Sequence, residues 1–260
     1  MSQGLLLKRT GEVAWLIIDR QEKRNAITDA MWTAIPALIA EVGADPAVKI
    51  LVLTGAGDAA FSAGADINEY RTRVGDPDWG RLSQQTVANA SEAVRTMAKP
   101  TIAAIRGTCV GGGVVLALSC DLRVADQAAT FAIPPARLGL VFPFGDTKAL
   151  VELVGPSRAK SLLFTTRTLR ADEALQIGFV DEVVPGEKLE SRVQELAGEI
   201  ASQSQYSVRA SKRIIDLIND GLTEENDEVL ELIAESLKLE DHAEGVAAFL
   251  DRRPPSFTFR

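Results

Sequence analysis

Histidine is nearly absent from this chain of 260 residues; the one present is His242. A Ser-His-Asp triad or a histidine-rich metal site would have to be built around it. It stands in "KLEDHAEGV", which reads as a polar helix face. Hydrolase and metalloenzyme readings lose most of their support there, and no metal is expected. Cysteine is almost as scarce. Cys109 and Cys120 both lie in apolar surroundings, and a lone pair makes no disulfide framework, so they read as small buried thiols. No uncharged run reaches the ~18 residues that suggest a membrane span. The opening "MSQGLLLKRTGEVAWLIIDR" has no basic region ahead of an apolar run, so no signal peptide is read. A soluble cytoplasmic protein is the expectation. Positive charge is in deficit: 28 Lys and Arg against 36 Asp and Glu leave a net charge of −8. That balance argues against a general nucleic-acid binder. It leaves room for a small anionic ligand, for which a few local arginines suffice.

What is present is an alternation of strands and helices. "EVAWLIIDR" is short, β-branched and strand-like. "TDAMWTAIPALIAEV" carries apolar residues at helical spacing behind a candidate N-cap, Thr28. "VKILVLTG" is a continuous apolar run closed by glycine, as expected of a strand buried on both faces. A Gly- and Ala-rich loop, "GAGDAAFSAGADI", follows. The polar stretch "RTRVGDPDWGRLS" reads as a mobile surface segment. "QQTVANASEAVRTMA" is an amphipathic helix leading through Pro100 into the strand "TIAAIRG". Then come the glycines of "CVGGGVVLALSCD", a buried helix, and the strand "LRVAD". This alternation over about 190 residues implies an α/β fold with right-handed crossovers. Beyond "GFVDEVVPGEKL" the chain reads as helical. We therefore expect a core over residues 1–190 and a helical region over 191–260.

The three consecutive glycines need a reason. Neither GxxxxGK[ST] nor GxGxxG occurs, and no acidic residue follows at the distance a dinucleotide site requires. One remaining reading is that the glycines only let a helix pack on a strand. The other is chemical. A helix start presents free N–H groups, and without a Cβ a ligand carbonyl can approach the N–H of Gly112. "FSAGADI" is a second loop of the same character, also after a buried strand. Two such donors converging on one oxygen make an oxyanion hole.

"FSAGADI" followed by "CVGGGVVLALSCD" resembles the paired signature of the crotonase (enoyl-CoA hydratase/isomerase) superfamily. "RNAI", "VKILVLTGAGDAAFSAGAD", "FAIPPARLGL", "GFVDEVVP" and "AFLDRRPPSF" resemble further elements of the family, in order along the chain. The resemblance implies a spiral core of ββα turns and a C-terminal helical region that makes trimer contacts, often in a dimer of trimers. It also implies an acyl-CoA thioester ligand, with no cofactor beyond the coenzyme A of the substrate. The thioester oxygen would be held by the N–H groups of Ala65 and Gly112. Coenzyme A and substrate would meet Ala26, Ala63, Asp66, Ile67, Gly111 and Leu140. Lys23 and Arg24 would face the phosphates, with Phe249 and Arg252 reaching in from the C-terminal region.

The sequence departs from the family where hydratases carry two glutamates. One position follows the glycines and is Val115; the other, the E of P-E-x-x-L-G, is Pro135. Neither side chain transfers a proton. A third position, used by some members eight residues further on, holds Pro143. The ionisable groups left nearby are Asp66, Glu69, Tyr70, Arg137 and Asp146. Asp66 reads first as a helix cap; Asp146 reads as a cap or as a carboxylate facing the acyl pocket. Asp121, inside the signature, reads as structural. Three functions stay open: an enolate-stabilising enzyme with little acid–base help, such as a malonyl-type decarboxylase; a hydratase or isomerase whose acid or base has moved to Asp146, Glu69 or a bound water; and an acyl-CoA binder without catalysis. The wall at Val115, Pro135 and Phe142–Phe144 separates them.

Overall fold

Short apolar strands followed by glycine and then by amphipathic helices must stack as layers, because each strand needs both faces covered. The computed structural model describes residues 4–71 and 73–259, with the side chain of Tyr70 outside the described set. The chain opens on an antiparallel hairpin, β1 (Leu5–Thr10) and β2 (Val13–Ile18), in which Leu5 stands opposite Ile18. Then come α1 (Asp29–Ala44), β3 (Ile50–Gly55), β4 (Ala60–Ser62), α2 (Ile67–Arg71) and α3 (Pro77–Arg95). These are followed by β5 (Thr101–Ile105), β6 (Thr108–Val110), α4 (Gly112–Ser119), β7 (Leu122–Asp126), β8 (Thr130–Ala132) and α5 (Phe144–Val154). Next are α6 (Pro156–Thr165), β9 (Leu169–Arg170), α7 (Ala171–Gln176) and β10 (Glu182–Val184). The last four helices are α8 (Leu189–Ala201), α9 (Gln205–Asn219), α10 (Asp227–Ser236) and α11 (Glu240–Asp251).

The large sheet runs β1-β2-β3-β5-β7-β10 and is parallel after the first pair; the small sheet runs β4-β6-β8-β9 and is parallel until the last. Each turn places one strand in the large sheet, the next in the small sheet, and then a helix: β3-β4-α3, β5-β6-α4, β7-β8-α5. This is the ββα spiral that the resemblance implies. Alternate residues of the large sheet serve two cores. Leu51, Leu53, Ala103 and Ile105 pack against α1, α3 and α4, while Ile50, Val52, Ile102 and Ala104 pack against Leu189, Val193 and Ala197 of α8. The division at residue 190 thus falls inside a helix that covers the sheet, and the core packing extends through Ala201. Among the described residues no helix is long and apolar enough to cross a membrane.

Two sequence readings change. "RTRVGDPDWGRLS" is helical from Pro77 onward. The Asp76 carboxylate accepts from the N–H groups of Asp78 and Trp79, both at 3.1 Å, and Pro77 opens the helix. Asp-Pro is a start signal that outweighs the polar composition. The hairpin strand β1 and the three-residue strands of the small sheet were not legible as strands. Buried polar groups then tie the layers. Lys99 Nζ donates to the carbonyls of Val42 and Asp45 at the end of α1, and Lys49 Nζ to that of Ala201 at the end of α8. Asp121 accepts from Thr101 N (2.8 Å) and Oγ1 (3.0 Å) and pairs with Lys212 of α9 at 2.9 Å. It is structural, as expected.

Two glycine substitutions should move stability in opposite directions. Gly198 is exposed inside α8 with open space where a Cβ would go. Gly198→Ala is expected to stabilise by up to about 1 kcal/mol. A Cβ on Gly113 would stand 2.7 Å from Ser62 O and 2.9 Å from Ser62 Cβ, so Gly113→Ala should cost about 1–3 kcal/mol through overpacking. Urea unfolding of both variants checks the pair; equal midpoints would contradict it.

Candidate active site

The loop after β4 and the start of α4 meet because nothing stands between them. Ile27 N donates to Gly64 O at 2.8 Å, and Asp66 N donates to Ile27 O at 3.0 Å, making a parallel bridge between Ile27 and Ala65. Alternation along such a bridge turns the Ala65 N–H to the other side. Gly112 is the first residue of α4, where an N–H has no intrahelical acceptor. Among the described residues neither N–H has a partner. A Cβ on Gly64 would lie 3.2 Å from Gly112 N, and one on Gly112 would lie 3.5 Å from Ala65 N. The two donors therefore sit on facing loops.

The three glycines have three different reasons. Gly111 caps α4 with φ 53° and ψ −112°, a conformation closed to side chains. Its own N–H donates to Ala132 O at 3.0 Å. At Gly112 a Cβ would come within 2.8 Å of Trp32 Cζ2, and at Gly113 it would press on Ser62. The packing reading thus holds at Gly112 and Gly113.

A cavity of about 330 Å³ opens in front of these loops. Ala63, Ala65, Ile67, Gly111, Gly112 and Leu140 line it, and so do Val115 and Pro135. The two positions where the resemblance implies glutamates are therefore both at the cavity, one in the first turn of α4 and one in the short 3-10 turn Pro135–Leu138. The rest of the wall is apolar apart from Gln84 and Asp146, the indole of Trp32 included. Among the described residues none that lines the cavity is cationic. Asp146 lies in the first turn of α5 and is 4% exposed. Burial pushes its carboxyl up to about 6, against the pull of the Arg95 charge. A carboxylate in the first turn of a helix is normally favoured by the N–H dipoles there; here desolvation wins.

The other candidates are occupied elsewhere. Asp66 is paired with Arg20 at 2.9 Å and accepts from Asn68 N. Burial would raise its carboxyl, but those bonds outweigh it and hold it below the ordinary range. Glu69 Oε2 accepts from Asp29 N at 2.8 Å, at the start of α1, and does not line the cavity. Arg137 is exposed and donates to Thr166 Oγ1 at 2.6 Å. Lys23 and Arg24 are exposed on a short turn. That turn is tied to the oxyanion loop, since Ala63 N donates to Arg24 O at 2.9 Å, and buried Ala26 follows it. Phe249, 83% exposed, lines a separate groove with His242 and Phe257, and Arg252 ends the same helix, α11.

Four residues that hold the site were not foreseen. Arg20 Nη1 donates to Ala26 O at 2.8 Å. Asn25 has φ 56° and donates to the carbonyls of Ala56 and Ala60. Ser62 Oγ accepts from Gly64 N at 3.1 Å, and Trp32 backs Gly112. Asn25 had a signal, because asparagine is enriched at left-handed turn positions; the others had none at short range. The assembled site offers two N–H donors for one carbonyl oxygen and one buried carboxylate across an apolar cavity.

Known proteins share this arrangement of chain. A crotonyl-CoA hydratase from Syntrophomonas wolfei is 36% identical over 261 residues, 98% of each chain. A short-chain-enoyl-CoA hydratase from Clostridium acetobutylicum is 34% identical over 256 residues, covering 96% of this chain and 95% of that one. The crystal structure of an enoyl-CoA hydratase/isomerase family protein from Hyphomonas neptunium superposes with a TM-score of 0.96 at 43% identity, over 100% of this chain and 99% of the other. The family model described as enoyl-CoA hydratase/isomerase matches residues 8–260. With two hydratases alike over almost their whole length and the ββα spiral in common, the chain belongs to the enoyl-CoA hydratase/isomerase family, the crotonase superfamily.

Proposed function

We propose that this protein moves a proton on an acyl-CoA thioester as an enoyl-CoA isomerase-type enzyme, with Asp146 as its single acid–base group. The observation that carries the reading is the buried Asp146 carboxylate in the same cavity as the N–H groups of Ala65 and Gly112. The names of the hydratase relatives support the substrate class. The thioester oxygen accepts from both N–H groups, which stabilise the negative charge that gathers there when a C2 proton leaves. Asp146 takes that proton; the double bond shifts as the dienolate collapses, and the same carboxylic acid returns the proton at C4. One group completes the cycle, whereas water addition calls for a base on water together with proton transfer at the neighbouring carbon. Val115 and Pro135 supply neither. Lys23 and Arg24 meet the phosphates of coenzyme A from the turn tied to the Ala63 loop.

Decarboxylation of a malonyl-type thioester fits less well. Among the described residues no cation lines the cavity, and a substrate carboxylate would share an apolar wall with that of Asp146. In the same reading the protein works as a trimer or a dimer of trimers. Large apolar side chains stand out on the last two helices, among them Leu230, Ile233, Phe249 and Leu250, and apolar surface of that kind marks an association surface.

Asp146→Asn should lower conversion of a 3-enoyl-CoA to the conjugated 2-enoyl-CoA by about 10²–10⁴-fold. Wild-type kcat/KM should rise with pH through about 6 as the base ionises. Gly112→Ala puts a methyl between the donors and should cost about 10²–10³-fold. Hydration of crotonyl-CoA should be very slow in the wild type. The assay follows the enoyl-thioester absorbance. Undiminished isomerisation in Asp146→Asn would sink the assignment, and CO2 release from a malonyl-type thioester would replace it.

The same carboxyl links pH to stability. Its folded pKa is about 6 against an ordinary value of 3.8, so the folded chain holds a proton that the unfolded chain has lost between those limits. Stability falls as pH rises across that window, and above it the burial cost of the charge, of order 2–3 kcal/mol, is fully present. Asp146→Asn should therefore be more stable than wild type at about pH 8, with the advantage shrinking towards about pH 4. Denaturant titrations at both pH values test this; an offset independent of pH would contradict it.

A further inference from the structure

The cations on and beside α9 are paired with carboxylates. Lys212 meets Asp121 at 2.9 Å and Arg213 meets Glu228 at 2.6 Å. Arg95 pairs with Glu92, and Lys148 with Asp220 at 2.7 Å. Arg209, half-buried on the same helix, is the exception. Among the described residues its guanidinium makes no hydrogen bond and no ion pair. Burial pushes it below the ordinary arginine range, with no carboxylate pulling it back. Burial also lowers the ammonium of Lys99, and the charge of Arg209 lowers it further. A partly desolvated cation with a like charge nearby and no counter-ion is a costly arrangement.

What holds the side chain is aromatic. Its guanidinium carbon lies 5.8 Å from the centre of the Phe259 ring. That ring is fixed in turn by Tyr206, edge-to-face at 5.3 Å, and Phe259 N donates to Asp241 Oδ1 at 3.3 Å. Stacking of this kind steadies the planar fork and leaves its N–H donors unused. Of its nitrogens only Nε is sealed off; the two Nη groups stay open. The open space that Arg209 borders is a cavity of about 440 Å³, lined also by Met97, Tyr206, Leu232 and Phe259. It shares no lining residue with the cavity in front of α4.

We propose that this second cavity is a binding site for a small organic carboxylate, whose oxygens accept from the Nη groups of Arg209 and whose apolar body lies against Met97, Tyr206 and Leu232. A guanidinium fork matches a carboxylate through two parallel bonds. The ligand carries a single negative charge. Glu92, Glu152, Asp216 and Asp220 line the same cavity, and they repel a dianion such as phosphate more strongly than a monoanion.

Calorimetry with hexanoate as probe is the test, on wild type, Arg209→Lys and Arg209→Gln, with and without butyryl-CoA. Wild type should bind hexanoate about tenfold more tightly than hexan-1-ol or inorganic phosphate, the size expected of one charge-assisted pair. Arg209→Gln should lose that preference, and Arg209→Lys, which keeps the charge without the fork, should fall between. Butyryl-CoA should leave the hexanoate affinity unchanged. On wild type labelled with ¹⁵N at its arginines, the Arg209 Nε–H resonance, assigned by its loss in Arg209→Gln, should move with hexanoate and stay with hexan-1-ol. Equal affinities for acid and alcohol, a preference that survives in Arg209→Gln, competition by butyryl-CoA, or an unmoved resonance overturns the site. So does a wild type that ignores hexanoate while Arg209→Gln changes the oligomeric mass, since a carboxylate of a second copy then holds the guanidinium. Should Arg209→Gln not fold, Arg209→Lys supplies the assignment and the wild-type shift decides.

Discussion

Everything in the site depends on two backbone segments approaching with no side chain between them. The Ala63–Ala65 loop and the start of α4 come from successive turns of the spiral, and each has spent its other polar groups on holding position. Ile27 bridges the first loop; Ala132 fixes Gly111 at the second. Among the described residues the N–H of Ala65 on one side and that of Gly112 on the other have no partner. A methyl at Gly64 or Gly112 would fill the gap, so the donors exist as a pair only while both residues stay bare. Backbone donors of this kind need no reorganisation when charge develops in front of them, which is where electrostatic catalysis draws its strength.

That scaffold leaves acid–base chemistry to whatever the cavity wall carries. The positions from which glutamates would project are filled by Val115 and Pro135, and both face the cavity. Burial beside this apolar wall raises the carboxyl of Asp146. A wetter wall would return Asp146 towards the ordinary range and make it a poorer match to neutral pH.

Much of this was legible along the chain. The strand runs at Ile50–Gly55 and Thr101–Ile105, the Thr28 cap, whose Oγ1 accepts from Met31 N at 3.3 Å, and the buried thiols all follow from local pattern. The three-residue strands of the small sheet did not, because a period of two cannot show itself in three residues. The start of α3 was hidden because charge and glycine in "GDPDWG" masked a proline-led cap. The site divided along the same line. Glycines are visible as residues, so the two loops and Val115 and Pro135, which line one cavity, were named from the sequence. Glu69 was weighed as a replacement base because it is near Ala65 in sequence; in space its carboxylate goes to the start of α1. Asp146 and Trp32 come from turns of the spiral that only tertiary packing brings to one cavity.

The site has a rigid back and an open front. Helix α4 is buried from Gly113 to its last residue, so a change there is felt throughout the core. The front wall runs over exposed side chains, with Leu138 59%, Leu140 45% and Val141 86% accessible. Substitutions there meet solvent and disturb little packing. Heritable change at this cavity is therefore channelled to one short stretch of loop, while the helix behind it is shielded from experiment by its own burial.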